Sequence, residues 1–215
     1  LAVKSLLNIS AAKVFSVPGD LSDSQTPKKI LEESIKKLGT IDILFNNCGG
    51  PPMKSLLETE NDDWENAYNS ILMSSVRLTK LVIPGMISRK WGRIITLGSS
   101  VMKEPSPQMV LSATFRAAVV SFMKSISLEI AQHGITVNTI STGGVITERL
   151  KNLVLESSKI QGISYEEALS SSSQSIPVKR IASPEEFSQA IIFLSSELSS
   201  YITGECLSID GGLLK

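Results

Sequence analysis

The sequence predicts an α/β fold in which a doubly wound parallel sheet is covered by helices on both faces. Short apolar segments of strand character alternate with longer amphipathic segments of helical periodicity along the chain. Strands that are separated by helices pair in parallel through right-handed crossovers, and these crossovers place helices on both faces. Neither repeats nor low-complexity linkers interrupt the pattern, so residues 1–215 are predicted to form one domain.

Five strands are predicted from short apolar runs that end at glycine or small polar residues. In chain order their sequences are AKVFSVPGD, IDILFNNCGG, GRIITLGSS, ITVNTIS and ECLSIDGG. Turn-forming residues follow each run, as expected where a strand is followed by a loop.

The segments between these strands are predicted as helices. Apolar residues at helical spacing mark TPKKILEESIKKLGT and the runs 61–90 and 109–132, and Pro84 is expected to interrupt the run 61–90. A polar segment of helical character covers 144–180. The last helix has a clear start, because Ser183 suits the N-cap, Pro184 follows it, and Glu186 completes a capping box.

Small and polar residues gather at the carboxyl ends of the predicted strands. Gly19-Asp20, Asn46–Gly50, Ser99-Ser100 and Ser141–Gly144 follow the first four strands. Ligands of open parallel sheets bind outside this edge, where glycines allow close backbone approach and serine or asparagine side chains supply hydrogen bonds. Four such clusters predict a ligand lying across the edge.

Composition excludes several classes of function. Lysine plus arginine and aspartate plus glutamate both number 21, so no net field attracts nucleic acid or an anionic membrane. No uninterrupted apolar run reaches the ~18 residues of a bilayer span. Cys48 and Cys206 lack metal spacing and favour free thiols in a reducing cytoplasm over a disulfide. The single histidine, His133, suits a helix end, and we predict no metal site.

Four segments in order resemble the short-chain dehydrogenase/reductase family, and within it the 3-oxoacyl-acyl-carrier-protein reductase-like branch. IDILFNNCGG resembles the family's D-x-L-x-N-N-A-G with Cys48 for alanine, and GRIITLGSS resembles the strand that ends in the catalytic serine. GITVNTISTGGVIT resembles V-N-x-I-x-P-G-x-x-x-T with Thr142 for proline, and ITGECLSIDGG resembles I-T-G-x-x-L-x-V-D-G-G. The resemblance covers essentially the whole chain. It implies a Rossmann-like fold, NAD or NADP as cofactor, and a small-molecule carbonyl or alcohol substrate.

The resemblance also implies a set of cofactor contacts: Asp20, Leu21, Asn46, Cys48, Gly49, Gly143, Val145 and Thr147. Asp20 would contact the adenine, and Asn46 with Gly49 the adenosine ribose region. Val145 and Thr147 would hold the nicotinamide carboxamide and the diphosphate. The residues themselves leave alternatives open, because Asn46-Asn47 can satisfy loop backbone groups and Asp20 can cap a helix.

The family pattern begins before Leu1. About forty further residues, with the glycine-rich phosphate turn, the central strand and the strand that distinguishes NAD from NADP, are expected by analogy to precede it. Leu1 would then lie in the helix after the second strand. A sheet without its central strand would expose unpaired edges, so we expect the natural protein to be longer.

The catalytic residues of the family are altered here. The family uses a serine, a tyrosine followed four residues later by a lysine, and an asparagine on the preceding long helix. Ser100 matches the serine, Arg116 lies at the lysine position, and Ser112 lies at the tyrosine position after a one-residue gap, while Ile71 replaces the asparagine. Arg116 keeps a cation that can donate two hydrogen bonds to a ribose diol. The alternatives for Arg116 are a place at the helix rim or a bridge to a carboxylate.

Ser112 cannot take over the role of the tyrosine. An aliphatic hydroxyl is a far weaker acid than a phenol of pKa ~10, and arginine stays protonated and relays no proton. Tyr165 lies in the segment 144–180, which in the family folds over the substrate, and could reach the site when that lid closes.

Three hypotheses follow from this pattern. The first is an NAD(P)-dependent oxidoreductase in which a water or another acid supplies the proton. The second is a dinucleotide-binding homologue without turnover, acting as a sensor or partner subunit, and the third is a scaffold that binds no cofactor. The resemblance implies a homodimer or homotetramer, for which LVIPGM and AVVSFM are candidate interfaces unless they belong to the core.

Overall fold

Four parallel strands form one sheet in the part of the chain that the structure describes. The computed structural model describes residues 13–214. Its strands are β1 (Ile43–Asn46), β2 (Gly92–Leu97), β3 (Ile135–Thr142) and β4 (Cys206–Ile209), and they pair in the order β1-β2-β3-β4. The predicted α/β class with a parallel sheet is confirmed.

Within the described residues, seven α-helices connect and flank these strands. They are α1 (Thr26–Leu38), α2 (Asn61–Ala67), α3 (Ser74–Arg89), α4 (Val110–Ile130), α5 (Glu148–Gln161), α6 (Tyr165–Ser175) and α7 (Pro184–Ser195). The predicted capping box of the last helix is confirmed, because Ser183 and Glu186 exchange side chain to backbone hydrogen bonds at its start. The segment 144–180 contains α5 and α6, which pack against each other.

The core has one layer on each face of the sheet. Adjacent residues of β2 point to opposite faces, as the period of a strand requires. Ile94 packs with Ile71, Met86 and Met123 from the long helices, whereas Ile95 packs with Phe187 and other residues of α7. Helices therefore cover both faces, as predicted.

The run 61–90 is irregular at a different place from the one predicted. Pro84 lies inside α3 without ending it, because its ring lies on the exposed side of the helix and the carbonyl that it leaves without a donor is open to solvent there. A π-helical segment, Tyr68–Met73, instead joins α2 to α3. In and beside this segment, the hydroxyls of Ser70, Ser74 and Ser75 donate to carbonyls four residues earlier. A π-helical segment rotates the side chains that follow it relative to those before it, and such segments occur often at functional sites.

The combined helix Asn61–Arg89 is 29 residues long, with a mean hydropathy of 1.3 over its most apolar window. By length and composition alone it could cross a membrane. Its Ala67, Ile71, Val82 and Met86 are buried in the core of this fold, where it serves as a packed helix. Val82 and Met86 belong to LVIPGM, and Val119 and Met123 belong to AVVSFM, so both candidate interfaces contribute to the core.

The first predicted strand is wrong over its described part. Residues 13–20 have no strand structure, because within 13–214 no strand offers them a hydrogen-bonded partner and β1 is an edge of the sheet. Residues with a high propensity for β-structure form a strand only where a neighbouring strand supplies backbone hydrogen bonds. Ala12 of that predicted strand, and the predicted helical place of Leu1, lie outside the described residues.

Candidate functional site

The carboxyl ends of all four strands lie on one edge of the sheet, since the strands are parallel. Asn46–Gly50 leaves β1, Gly98–Ser100 leaves β2, and Gly143-Gly144 leaves β3 at this edge. The structure thus brings three of the four predicted clusters together. Gly19-Asp20, the fourth cluster, follows no strand within the described residues.

Asn46 is anchored by side chains rather than by loop backbone. It is 4% exposed, and its Nδ2 donates to Thr79 Oγ1 and to Thr96 Oγ1, each at 3.2 Å. Its Oδ1 is buried and accepts no hydrogen bond from residues 13–214. An unpaired buried acceptor of this kind is costly, so the position suits a donor that arrives with a ligand or a water.

The guanidinium of Arg116 contacts the carboxyl end of β2. Its side chain projects from α4, is 8% exposed, and donates from Nη1 to the carbonyl oxygen of Leu97 at 2.9 Å. Burial lowers the pKa of Arg116; the nearby Cys48 opposes this shift, and the charge of Arg149 adds to it. Among the described residues no carboxylate forms an ion pair with Arg116. The structure therefore excludes both alternatives for Arg116, an exposed position at the rim of the helix and an ion pair with a carboxylate of the described residues.

Cys48 is a half-buried free thiol beside this cation. Burial raises the pKa of Cys48, and the charge of Arg116 offsets part of that shift. A raised pKa keeps the thiol protonated at neutral pH, so Cys48 is not a strong nucleophile. Cys206 is likewise free.

Ser100 and Ser112 lie on neighbouring elements without a hydrogen bond between their side chains in the described structure. Ser100 opens a 3₁₀ turn, Ser100–Met102, and is half-buried. Ser112 lies in the first turn of α4 and is 4% exposed. Ser100 is therefore the more exposed of the two residues.

The residues after β3 are held by structural contacts of their own. Thr147 is the N-cap of α5, where its Oγ1 accepts from Leu150 N and donates to Val145 O, both at 3.3 Å. Val145 forms an isolated bridge with Ala182. A side chain on Gly143 would place its Cβ 2.8 Å from Asp210 Cα, so the glycine allows the chain to pass the turn after β4.

Asp20 and Leu21 lie in a turn before α1. The Asp20 carboxylate accepts from Ser22 N at 2.9 Å, and this hydrogen bond lowers its pKa. Asp20 is not a helix cap, because α1 begins six residues later and its N-cap is Gln25. Leu21 is half-buried.

Arg149 is a residue of this edge that sequence reasoning missed. It lies in the first turn of α5 and donates from Nη2 to Pro51 O at 2.9 Å. A Cβ on Gly50 would lie 2.7 Å from the same nitrogen, so the guanidinium rests directly on the glycine turn. The doublet Gly49-Gly50 was the available signal, because a second glycine indicates that something approaches the backbone closely.

An apolar groove of about 710 Å³ opens beside these residues, between residues 55–57, the loop 102–107 and the first two turns of α4. Ser100, Ser112 and Arg116 are not in its lining. No group of three or more potential metal ligands occurs within residues 13–214.

Comparisons with known proteins agree with this architecture. A family model described as enoyl-(acyl carrier protein) reductase matches residues 2–214. The 3-oxoacyl-[acyl-carrier-protein] reductase FabG of Buchnera aphidicola (subsp. Schizaphis graminum) is 37% identical over 194 residues, which cover 90% of this chain and 75% of the relative. The chain belongs to the short-chain dehydrogenase/reductase family.

Two further relatives of this family bind or use NADPH according to their descriptions. The NADPH-dependent reductase BacG of Bacillus subtilis is 32% identical over 204 residues, covering 95% of this chain and 79% of the relative. L-sorbose reductase from Gluconobacter frateurii, solved with NADPH and L-sorbose, superposes with a TM-score of 0.92 at 30% identity. That match covers 100% of this chain and 82% of the other.

Proposed function

We propose that this short-chain dehydrogenase/reductase is an NAD(P)-dependent oxidoreductase that interconverts a carbonyl and an alcohol on a small-molecule substrate. The observation that carries the proposal is Arg116, a buried cation tethered to the end of β2 with further N–H groups beyond its one bond to Leu97 O. It lies at the sheet edge that also holds Asn46 and Ser100, the edge where open parallel sheets bind nucleotides.

The residues at this edge suit the nicotinamide and ribose parts of a dinucleotide. The guanidinium of Arg116 can donate two hydrogen bonds to a ribose diol. The unpaired Asn46 Oδ1 offers an acceptor, and no atom lies within 4 Å of where a Cβ on Gly49 would be, so the turn leaves room for a ligand. We assign the cofactor contacts of Val145 and Thr147 to their backbone, because the Thr147 hydroxyl already caps α5.

In the proposed mechanism the chain positions and polarises the substrate. A bound nicotinamide supplies or removes the hydride. The Ser100 hydroxyl donates a hydrogen bond to the carbonyl oxygen, where negative charge develops during reduction. The permanent charge of Arg116 stabilises the same region. The proton that completes the alcohol comes from a water at the edge, since neither the Ser112 hydroxyl nor Arg116 can release one at neutral pH.

The segment 144–180 is our candidate for the substrate lid. Arg149 attaches its helix α5 to the turn after β1, and α6 packs against α5. Tyr165 is the first residue of α6, which packs against α5. We propose a 3-oxoacyl group as the substrate class, by analogy with the Buchnera relative. A homodimer or homotetramer in the cytoplasm is the assembly we propose, by analogy with the family.

A second candidate is a dinucleotide-binding homologue without turnover. Serine in place of the family's tyrosine at position 112 favours it, because positioned proton transfer contributes about 10²–10⁴-fold to such reactions.

Fluorescence titration of the purified full chain with NADPH and NADH tests cofactor binding under both candidates. Oxidation of the bound cofactor by a panel of ketones and 3-oxoacyl thioesters separates them. Tight binding with turnover supports the oxidoreductase. Tight binding without turnover on any ketone supports the second candidate, and absence of binding to either dinucleotide would overturn both.

A further inference from the structure

Two arginines from different helices converge on one turn at the sheet edge. Arg149 rests on Gly50 and donates to Pro51 O, as described above. Arg116 is bonded to the carbonyl oxygen of the last residue of β2, and β2 pairs with β1 where β1 leads into Cys48. Arg116 and Cys48 also shift each other's pKa. Arg149 therefore contacts the turn 48–51, and Arg116 lies beside the start of the same turn.

The positive charges of this arginine pair are not neutralised by the described protein. Neither Arg116 nor Arg149 forms an ion pair with any carboxylate in residues 13–214. Glu148 is the acidic residue adjacent to Arg149, but its side chain is 82% exposed and paired with Lys151 at 2.6 Å. It leaves the arginine pair uncompensated.

This arrangement is costly without a counter-ion. Arg116 is 92% buried, given its exposed fraction of 8%, and only its Nη1 has a hydrogen-bond partner among the described residues. The charge of Arg149 further disfavours its protonated form. Like charges held together in a partly desolvated place are a common feature of anion-binding sites, because the ligand supplies what the protein lacks. Arginine is also the side chain whose fork fits carboxylate and phosphate oxygens.

We infer that Arg116 and Arg149 together bind an anionic oxygen group, a carboxylate or a phosphate, between the turn 48–51 and the start of α5. The anion site itself is independent of the proposed function. The identity of the molecule that carries the anion rests on that function. Two sources share this chemistry: the diphosphate of the dinucleotide, and the carboxylate of an acidic carbonyl substrate. Because Arg149 belongs to the candidate lid, binding of either would hold α5 against the turn.

Calorimetric titration of the full chain at low ionic strength tests the inference without any need for turnover. The probes are pyrophosphate for the diphosphate, acetoacetate for an acidic substrate, and methyl acetoacetate as the neutral match. The variants are Arg149→Gln, which removes the charge, and Arg149→Lys, which keeps it. Lys159→Gln, at the exposed end of α5, is the control for a change of one unit in net charge.

We expect Arg149→Gln to weaken binding of at least one anionic probe by about tenfold, the loss expected for one charge-assisted hydrogen bond. Arg149→Lys should recover part of that affinity, and Lys159→Gln should behave as the unaltered chain. A loss confined to pyrophosphate identifies the cofactor as the source, whereas a loss confined to acetoacetate, with methyl acetoacetate unaffected, identifies an acidic substrate.

The inference is overturned if neither anionic probe binds the unaltered chain, or if Arg149→Gln binds both as tightly. NADPH binding by the unaltered chain is measured in parallel. If the unaltered chain does not bind NADPH, the proposed function is wrong, but the result with the anionic probes still holds. Failure of the proposed function and failure of the anion site are therefore distinguishable. Circular dichroism of each variant confirms that the fold persists, and Arg149→Lys provides the test if Arg149→Gln does not fold.

Discussion

Arg116 Nη1 lies 2.9 Å from the carbonyl oxygen of Leu97, the last residue of β2. This one hydrogen bond joins the helix that carries the altered catalytic positions to the strand that leads to Ser100. It supplies a donor to the carbonyl oxygen at the end of the strand and holds the cation in a position that is largely buried from solvent. The cost of burying that cation makes a structural role alone a poor explanation for it.

We therefore predict that Arg116→Met separates stability from binding. Removing a buried cation without a carboxylate partner should leave the free energy of unfolding unchanged or raise it by up to about 4 kcal/mol, even though Leu97 O loses its donor. Affinity for NADPH should fall by about tenfold or more, since charged hydrogen bonds to the ligand are lost. Urea denaturation and fluorescence titration measure the two quantities. A clear loss of stability with unchanged NADPH affinity would instead assign Arg116 to the scaffold.

Restoring the family's residues should raise turnover. We predict that the double variant Ser112→Tyr with Arg116→Lys increases kcat by about 10²-fold or more on a ketone that the unaltered chain reduces slowly, because a phenol beside a lysine supplies the proton. The control is Ser112→Phe with Arg116→Lys, which has the same bulk in this 4% exposed position without the hydroxyl. Equal rates for the two double variants would exclude position 112 as the place of proton transfer.

The sequence predicted most of the fold and the edge on which the site lies, because both depend on local patterns. The apolar runs ending at Asn46 and Leu97 form strands, and the polar residues after them meet since the strands are parallel. Residues 13–20 did not follow their propensity, because strand structure requires a partner that local pattern does not provide.

Individual contacts at the site were less predictable. Arg149 is 99 positions from Gly50 in the sequence, and nothing local to either residue indicates that they touch. Thr147 was predicted as a cofactor contact, and the sequence did not indicate that its hydroxyl would also be the N-cap of α5. Pro84 was predicted to interrupt its helix, but the effect of a proline depends on which side of the helix faces water.

The contact of Arg149 with the glycine turn leads to a third prediction. Gly50→Ala should displace the guanidinium, because its Cβ would lie 2.7 Å from Nη2. We expect a loss of about 1 kcal/mol in the free energy of unfolding, and most of that loss should disappear in an Arg149→Ala background. Gly49→Ala is the matched control, since no atom lies within 4 Å of its Cβ position. Equal costs for Gly50→Ala with and without Arg149 would show that the two residues do not touch in solution.

The start of α7 should make stability depend on pH through Glu186. Both Glu186 oxygens accept from Arg180, at 2.7 and 2.8 Å, and one also accepts from Ser183 N at 3.0 Å. These contacts lower the pKa of Glu186 from 4.5 to about 2. Since the folded pKa is the lower one, the carboxylate stabilises the fold fully above pH 4.5, and this contribution is lost as the pH falls towards 2.

We predict that Glu186→Gln destabilises the protein at neutral pH and that its difference from the unaltered chain shrinks between pH 4.5 and 2. Ser183→Ala removes the N-cap hydroxyl and should cost about 1 kcal/mol with little dependence on pH over the same range. Glu129→Gln, at the exposed end of α4, controls for loss of a surface carboxylate. Urea denaturation of the four proteins at several pH values gives the comparison. A Glu186→Gln difference that stays constant down to pH 2 would mean that the carboxylate does not hold Arg180 and the start of α7 together in solution.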